Sequence, residues 1–244
     1  MHGYDFDKMG SATCATSNCH GTALTGGTGP SCNSCHNNWQ TTCTFCHGTT
    51  GAGAPPEGVL GQTAPTDKHV GAHANHVNAT TMHAAWDCNY CHTKPSTAVT
   101  PGHIDGTGSV VQAEVKYLTT LNPAGTYNTT TAVCSNLYCH GNGQTSAGTA
   151  TWTSTTNMTC NSCHLTPAPA QAAVAMSGEH DKHIQSAKLL CVECHQMVVN
   201  DQTAIIAPAL HVNGAKNVSI KTGGTYTPST KICSNMICHG PEPW

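Results

Sequence analysis

The sequence predicts an irregular fold, mostly coil with short helices and a few β-hairpins, built around something other than a side-chain core. Three observations lead there: a shortage of large apolar residues, a strict coupling of cysteine pairs to histidine, and an internal repeat. The chain has 244 residues but only two phenylalanines, Phe6 and Phe45, set against 24 glycines and 13 prolines. Leu and Ile are sparse, and Thr, Gly, Asn and Ser fill long spacers, a composition that usually marks disorder because too little apolar surface can be buried. Nine lysines, no arginine and 12 acidic residues leave no clustered basic face, which excludes a nucleic-acid partner. No apolar run approaches the roughly 20 residues that span a bilayer, so no transmembrane segment is expected. The opening MHGYDFDKMG lacks the basic-then-apolar pattern of a signal peptide, so the numbering is expected to start at a mature or trimmed end.

Sixteen cysteines fall into eight pairs. Five are Cys-x-x-Cys-His: Cys32/Cys35/His36, Cys43/Cys46/His47, Cys88/Cys91/His92, Cys160/Cys163/His164 and Cys191/Cys194/His195. Three have four intervening residues: Cys14/Cys19/His20, Cys134/Cys139/His140 and Cys233/Cys238/His239. Histidine follows the second cysteine in all eight, although only 17 of the 244 residues are histidine. A zinc ribbon combines two Cys-x-x-Cys knuckles into one four-ligand site and has no use for a histidine after each knuckle. A disulfide framework explains an even cysteine count and nothing about histidine. Covalent c-type haem explains both: two thiols add across the porphyrin vinyl groups, and the adjacent imidazole is held under the iron as proximal ligand. Widening the pair leaves the second cysteine and its histidine in register, and the first cysteine reaches its vinyl through a bulged loop. The motifs at Cys32 and Cys43 stand so close that their haems are expected to form one of the tightest pairs in the chain.

Removing the eight proximal histidines leaves nine: His2, His69, His73, His76, His83, His103, His180, His183 and His211. Eight irons need eight sixth ligands, so the supply covers complete bis-histidine ligation with one to spare. Seven methionines are present but at no regular offset from the motifs. In DKHVGAHANHVNATTMHAAWDC, the spacing of His69, His73, His76 and His83 fits one face of a helix. Neighbours one turn apart cannot bind one iron from the same side, so they would serve different haems lying close together.

Two halves of the chain overlay. His103-Ile104-Asp105-Gly106 matches His211-Val212-Asn213-Gly214, each followed by a β-rich stretch, a turn ending in Gly-Thr-Tyr and a CSNxxCHG motif. Asp67-Lys68-His69 matches Asp181-Lys182-His183. The expected organisation is a first repeat over 1–133 and a second over 134–244, four haems each, packed as one continuous unit. Short helical turns are expected at the motifs, one or two longer helices bearing the distal histidines, and β-hairpins around 109–128 and 216–227. The fold then reads as coil wrapped around a chain of eight covalent haems, with the haem stack as the core.

The alternation of CSNxxCHG and CxxCH in a Thr- and Gly-rich, arginine-free chain resembles the CxxxxCH/CxxCH multihaem c-type cytochromes of metal-reducing bacteria. The resemblance spans residues 14 to 240 and rests on all eight motifs. It implies an exported, extracellular or cell-surface protein, bis-histidine ligated, that moves electrons through redox partner cytochromes to extracellular acceptors. Some extracellular relatives of this kind polymerise into filaments in which a distal histidine comes from the neighbouring protomer. By that analogy the chain self-associates head to tail, with His2 reaching an iron of the next subunit.

An electron conduit is therefore expected, not an enzyme. A multihaem reductase needs an iron with an exchangeable position, which nine spare histidines for eight irons argue against. A monomeric periplasmic or cell-surface electron carrier is the alternative that sequence barely separates from the filament. Each haem adds two propionates, and without arginine for bidentate pairing these rely on lysine, hydroxyls, backbone N–H groups, solvent, or a bridging calcium or magnesium ion.

Overall fold

The computed structural model describes residues 14–42, 62–100, 103, 115–117, 120–141, 147–164, 178–201 and 204–244. The chain divides into two compact units. Unit 1 comprises Met1–Asn78, Asp87–Leu118 and Trp152–Thr155; unit 2 comprises Ala79–Trp86, Thr119–Thr151 and Thr156–Trp244. Both are mostly coil, as the composition predicts.

Unit 2 contains two antiparallel three-stranded sheets, each built around a wide haem motif. In the first, β1 (Thr126–Asn128) pairs with β2 (Val133–Leu137), which pairs with β3 (Gly148–Thr151). In the second, β4 (Thr225–Thr227) pairs with β5 (Ile232–Ser234), which pairs with β6 (Glu242–Pro243). The registers repeat. Tyr127 lies opposite Cys134 and Tyr226 opposite Cys233, which buries both cysteines at the sheet centres. Thr and Tyr suit a half-buried pleated surface, and the Gly-Thr-Tyr sequence supplies them in both copies.

Each hairpin turns in the same way. Asn128 caps the first loop, its Oδ1 accepting from the N–H groups of Thr130 and Thr131; in the second, the Lys231 N–H donates to the Thr227 carbonyl. Ala132 and Lys231 both sit in the left-handed region, at φ 54° and 57°. Beyond the cysteine, Asn136 and Asn235 do the same at 58° and 57°; asparagine tolerates this conformation better than most residues. Between Cys134 and Leu137 the β2–β3 register shifts. The four-residue spacer of the wide motif is thus absorbed by a bulge, as its length requires.

The hairpins lie later than expected, because the wide motif itself supplies the return strand. The segment after His211 runs instead beside a narrow motif: Ser219 N–H donates to the Cys194 carbonyl, and Lys116 N–H donates to that of Cys91 in unit 1. The part of the expected first hairpin over 109–114 lies outside the described residues.

Helices among the described residues are short: α1 (His73–Val77), α2 (Cys160–Cys163) and α3 (Val192–His195), with a π-helical turn over Asp181–Ser186. The long histidine-bearing helix does not form. Of its four histidines only His73 and His76 share α1, which ends as Asn78 turns extended at ψ 149°. The Asn-Ala-Thr-Thr sequence that follows is rich in residues that compete with helical backbone bonds.

Candidate haem centres

The described narrow motifs share one local geometry. The histidine N–H donates to the carbonyl of the first cysteine in each: His36 to Cys32, His92 to Cys88, His164 to Cys160 and His195 to Cys191, at 2.8 to 2.9 Å. One helical turn therefore carries each thiol pair and its imidazole. Side-chain caps help start it, Ser31 Oγ accepting from Asn33 N–H and Asp87 Oδ1 from Asn89 N–H. No described cysteine is in a disulfide. Burial pushes the thiols of Cys139, Cys163, Cys191 and Cys194 up.

Among the described residues, histidines face one another in pairs. In unit 1 His73 and His92 have ring centres 6.2 Å apart at an interplanar angle of 25°. In unit 2 His180 and His195 stand 6.3 Å apart at 7°, His164 and His211 6.0 Å apart at 50°, and His183 and His239 6.0 Å apart at 50°. Each pair joins a histidine from a cysteine motif to one of those left over. A metal–imidazole bond is about 2 Å long and the ring centre lies about 1 Å beyond the nitrogen, so imidazoles on opposite faces of one iron stand about 6 Å apart. Direct contact is closer, as His83 and Trp86 show with ring centres 4.3 Å apart. Among the described residues no three His, Cys, Asp or Glu side chains converge on one point. Each pair has the spacing of two axial ligands, and a macrocycle would supply the equatorial donors.

Backbone carbonyls hold the imidazoles in one tautomer. Nδ1–H donates to a carbonyl from His20 (Pro30), His73 (Val70), His76 (Ala72), His83 (Ala84), His103 (Ala98), His183 (Glu179), His195 (Asn217), His211 (Met82) and His239 (Gly240), at 2.6 to 2.9 Å. A carbonyl can only accept, so Nδ1 carries the proton and Nε2 presents its lone pair. His69 differs, donating to the carboxylate of Asp67 at 2.6 Å. The backbone and side chain of His69 in turn hold the Asp67 carboxyl below its usual range. Burial, reinforced by His211, His180 and His195, lowers the His164 pKa, keeping that imidazole neutral.

Exposed apolar side chains flank the motifs in unit 2. Leu190 precedes Cys191, Met197 follows His195, and Ile237, 79% exposed, precedes Cys238. A porphyrin face attached there would cover such groups. The donor set, the ring spacing and the apolar surround all fit covalent haem.

Residues 133–164 match a family model described as the Geobacter CxxxxCH...CXXCH motif. The match supports a multihaem c-type cytochrome. It takes in Cys134/Cys139/His140 and Cys160/Cys163/His164, a short part of the chain. No curated protein and no solved structure matches. A cytochrome motif of this kind supports electron transfer and covalent haem c, and no described helix is long and apolar enough to cross a membrane.

The remaining expected site residues divide between the units. Unit 1 contains Cys14, Cys19, His20, Cys32, Cys35, His36, His69, His76, Cys88, Cys91 and His103; unit 2 contains His83, Cys134, Cys139, His140, Cys233 and Cys238. Cys43, Cys46, His47 and His2 lie outside the described residues.

Sequence reasoning missed three residues beside these centres. Asn122, buried at 6% exposure, accepts from the Tyr138 N–H at 2.7 Å and donates to Cys139 Sγ at 3.4 Å, bracing a wide motif from 17 residues upstream. Trp152 packs on His73 and Trp244 on His180. The signal available was position: each tryptophan comes one residue after a third strand that the repeat analysis did not foresee.

Proposed function

We propose that the protein is an octahaem c-type cytochrome that conducts electrons along closely packed bis-histidine haems to extracellular acceptors. The four imidazole pairs at 6.0 to 6.3 Å carry this reading. In it His92, His164, His195 and His239 are proximal ligands, opposed by His73, His211, His180 and His183. His20, His36, His47 and His140 are the other proximal ligands, and His69, His76, His83 and His103 supply the remaining distal ones. The sixteen cysteines attach eight haems, four in each repeat, over 1–133 and 134–244.

Attached haem supplies a one-electron iron couple. The chain contributes two neutral imidazoles per iron, which leave no coordination position open to substrate. His180 and His183, three residues apart, belong to two different pairs, which supports close successive haems. The exported and filamentous parts of the proposal rest on the resemblance of the motif pattern. The protein acts at or beyond the cell surface, exchanges electrons with partner cytochromes and polymerises head to tail, His2 taking the place of one of these distal ligands at an iron of the next subunit. Calcium or magnesium bridges haem propionates.

Two measurements test this. Intact mass should show eight haems, and the reduced protein should give no fast spectral change with carbon monoxide. Stoichiometric carbon monoxide binding would favour a reductase and overturn the conduit. Electron microscopy of the purified protein should show filaments; single monomeric particles at every concentration would leave a discrete electron carrier instead.

A further inference from the structure

The most regular arrangement beside the haem centres is not the Asp-Lys-His repeat read from sequence. It is Gly-x-His-x-x-His, at Gly71-Ala72-His73-Ala74-Asn75-His76 and Gly178-Glu179-His180-Asp181-Lys182-His183. Both glycines have positive φ, 53° and 70°. A Cβ on Gly71 would overlap the indole nitrogen of Trp152, and one on Gly178 that of Trp244. Each indole thus lies flat against backbone where no side chain could be.

The two tryptophans meet the histidines alike. Trp152 is edge-on to His73, with ring centres 4.7 Å apart at 89°, and inclined to His76 at 5.7 Å and 37°. Trp244 is edge-on to His180, 4.9 Å apart at 88°, and inclined to His183 at 5.0 Å and 26°. Both are anchored. Trp152 Nε1–H donates to the Lys68 carbonyl at 3.0 Å, and its own carbonyl accepts from the Ala72 N–H. Trp244 N–H donates to the Lys231 carbonyl at 2.6 Å, at the hairpin turn that leads into the wide motif of the same sheet.

We propose that Trp152 and Trp244 are positioning residues, each fixing the imidazole planes of the two distal ligands of a Gly-x-His-x-x-His turn and so setting the ligand-plane angle at two successive haems. An imidazole tethered at Nδ1 can still swing about that bond. An edge-on indole on one ring and an inclined one on the next remove this freedom in both at once. The angles at the paired irons are correspondingly distinct, 7° for His180/His195 and 50° for His183/His239.

The angle between axial imidazole planes sets the rhombic splitting of a ferric low-spin iron, so electron paramagnetic resonance reads the effect directly. The inference rests on the bis-histidine reading, which the carbon monoxide and mass measurements on the wild type test separately. The variants are Trp244→Ala, Trp244→Phe and Gly178→Ala in the full haem-loaded chain. All are expected to keep eight haems by mass and a low-spin, carbon monoxide-inert spectrum. Trp244→Ala and Gly178→Ala should shift or broaden two of the low-spin signals and leave the rest in place. Trp244→Phe, which keeps an aromatic edge, should shift the same two signals less. If Trp244→Ala loses haem, the other two variants carry the test. Spectra identical to wild type in every variant with full haem content would overturn the proposal, as would a uniform change across all signals.

Discussion

Replacing His180 by glycine should open one iron and leave the others closed. His180 faces His195 with ring centres 6.3 Å apart; with the eight haems proposed for the eight cysteine motifs, one haem in eight becomes five-coordinate. The reduced variant should then bind one carbon monoxide per chain, changing about one-eighth of the haem absorbance, where the wild type changes none. The edge-on contact with Trp244 disappears with the ring, at a cost of about 0.5–1.5 kcal/mol, small enough to leave a folded protein for titration. Added imidazole should restore the six-coordinate spectrum by filling the space the side chain leaves. The assay is a carbon monoxide titration followed in the visible spectrum, with haem content fixed by mass. A variant that carries eight haems and still ignores carbon monoxide would show that His180 is not a ligand, and with it the inference from ring spacing would fall.

Two further substitutions probe the surroundings. Asp67→Asn removes the carboxylate that His69 donates to at 2.6 Å; an imidazole bonded to a neutral amide is less electron-rich, so the haem His69 serves should become easier to reduce. Potentiometric titration should show one component moving upward, and an unchanged titration curve would remove His69 from the ligand set. Asn122→Ala deprives the Tyr138 N–H of its acceptor in a buried setting and should destabilise the protein by about 1–3 kcal/mol, visible as a lower thermal midpoint; a midpoint equal to wild type would mean that the bracing of Cys139 is incidental.

The motifs were legible because a histidine follows the second cysteine at a fixed offset eight times over, and His73, His180, His183 and His211, which pair with motif histidines in the structure, could be singled out because histidine is so abundant. What sequence could not supply was pairing. Nothing in the spacing says that His164 faces His211 and not His180, because contacts across 47 residues depend on how coil is folded back. The helix expected across His69 to His83 failed for a local reason: periodicity was right for one turn, and the Asn-Ala-Thr-Thr stretch then preferred extended backbone. The hairpins were expected from the Gly-Thr-Tyr turns, yet their return strands are the cysteine motifs themselves, a double use that a reading of motifs as short helical turns obscures. The Asp-Lys-His register was misleading because charged surface triplets recur easily, whereas Gly71 and Gly178 are held by backbone geometry and a close indole.

His73 and His76, like His180 and His183, are separated by three residues on a single short turn. Covalent geometry fixes that separation, at about 1.5 Å of rise per residue. In the proposed bis-histidine arrangement, two irons held through one such turn would be spaced by a hydrogen-bonded element in a chain that is mostly coil. Tunnelling rates fall exponentially with distance, so the step most damaged by thermal jitter is the one between neighbouring irons. Gathering two proposed ligands on one turn would make neighbouring irons move as a couple. A chain that is mostly coil would in this way hold constant the gaps that electrons cross in the proposed haem chain.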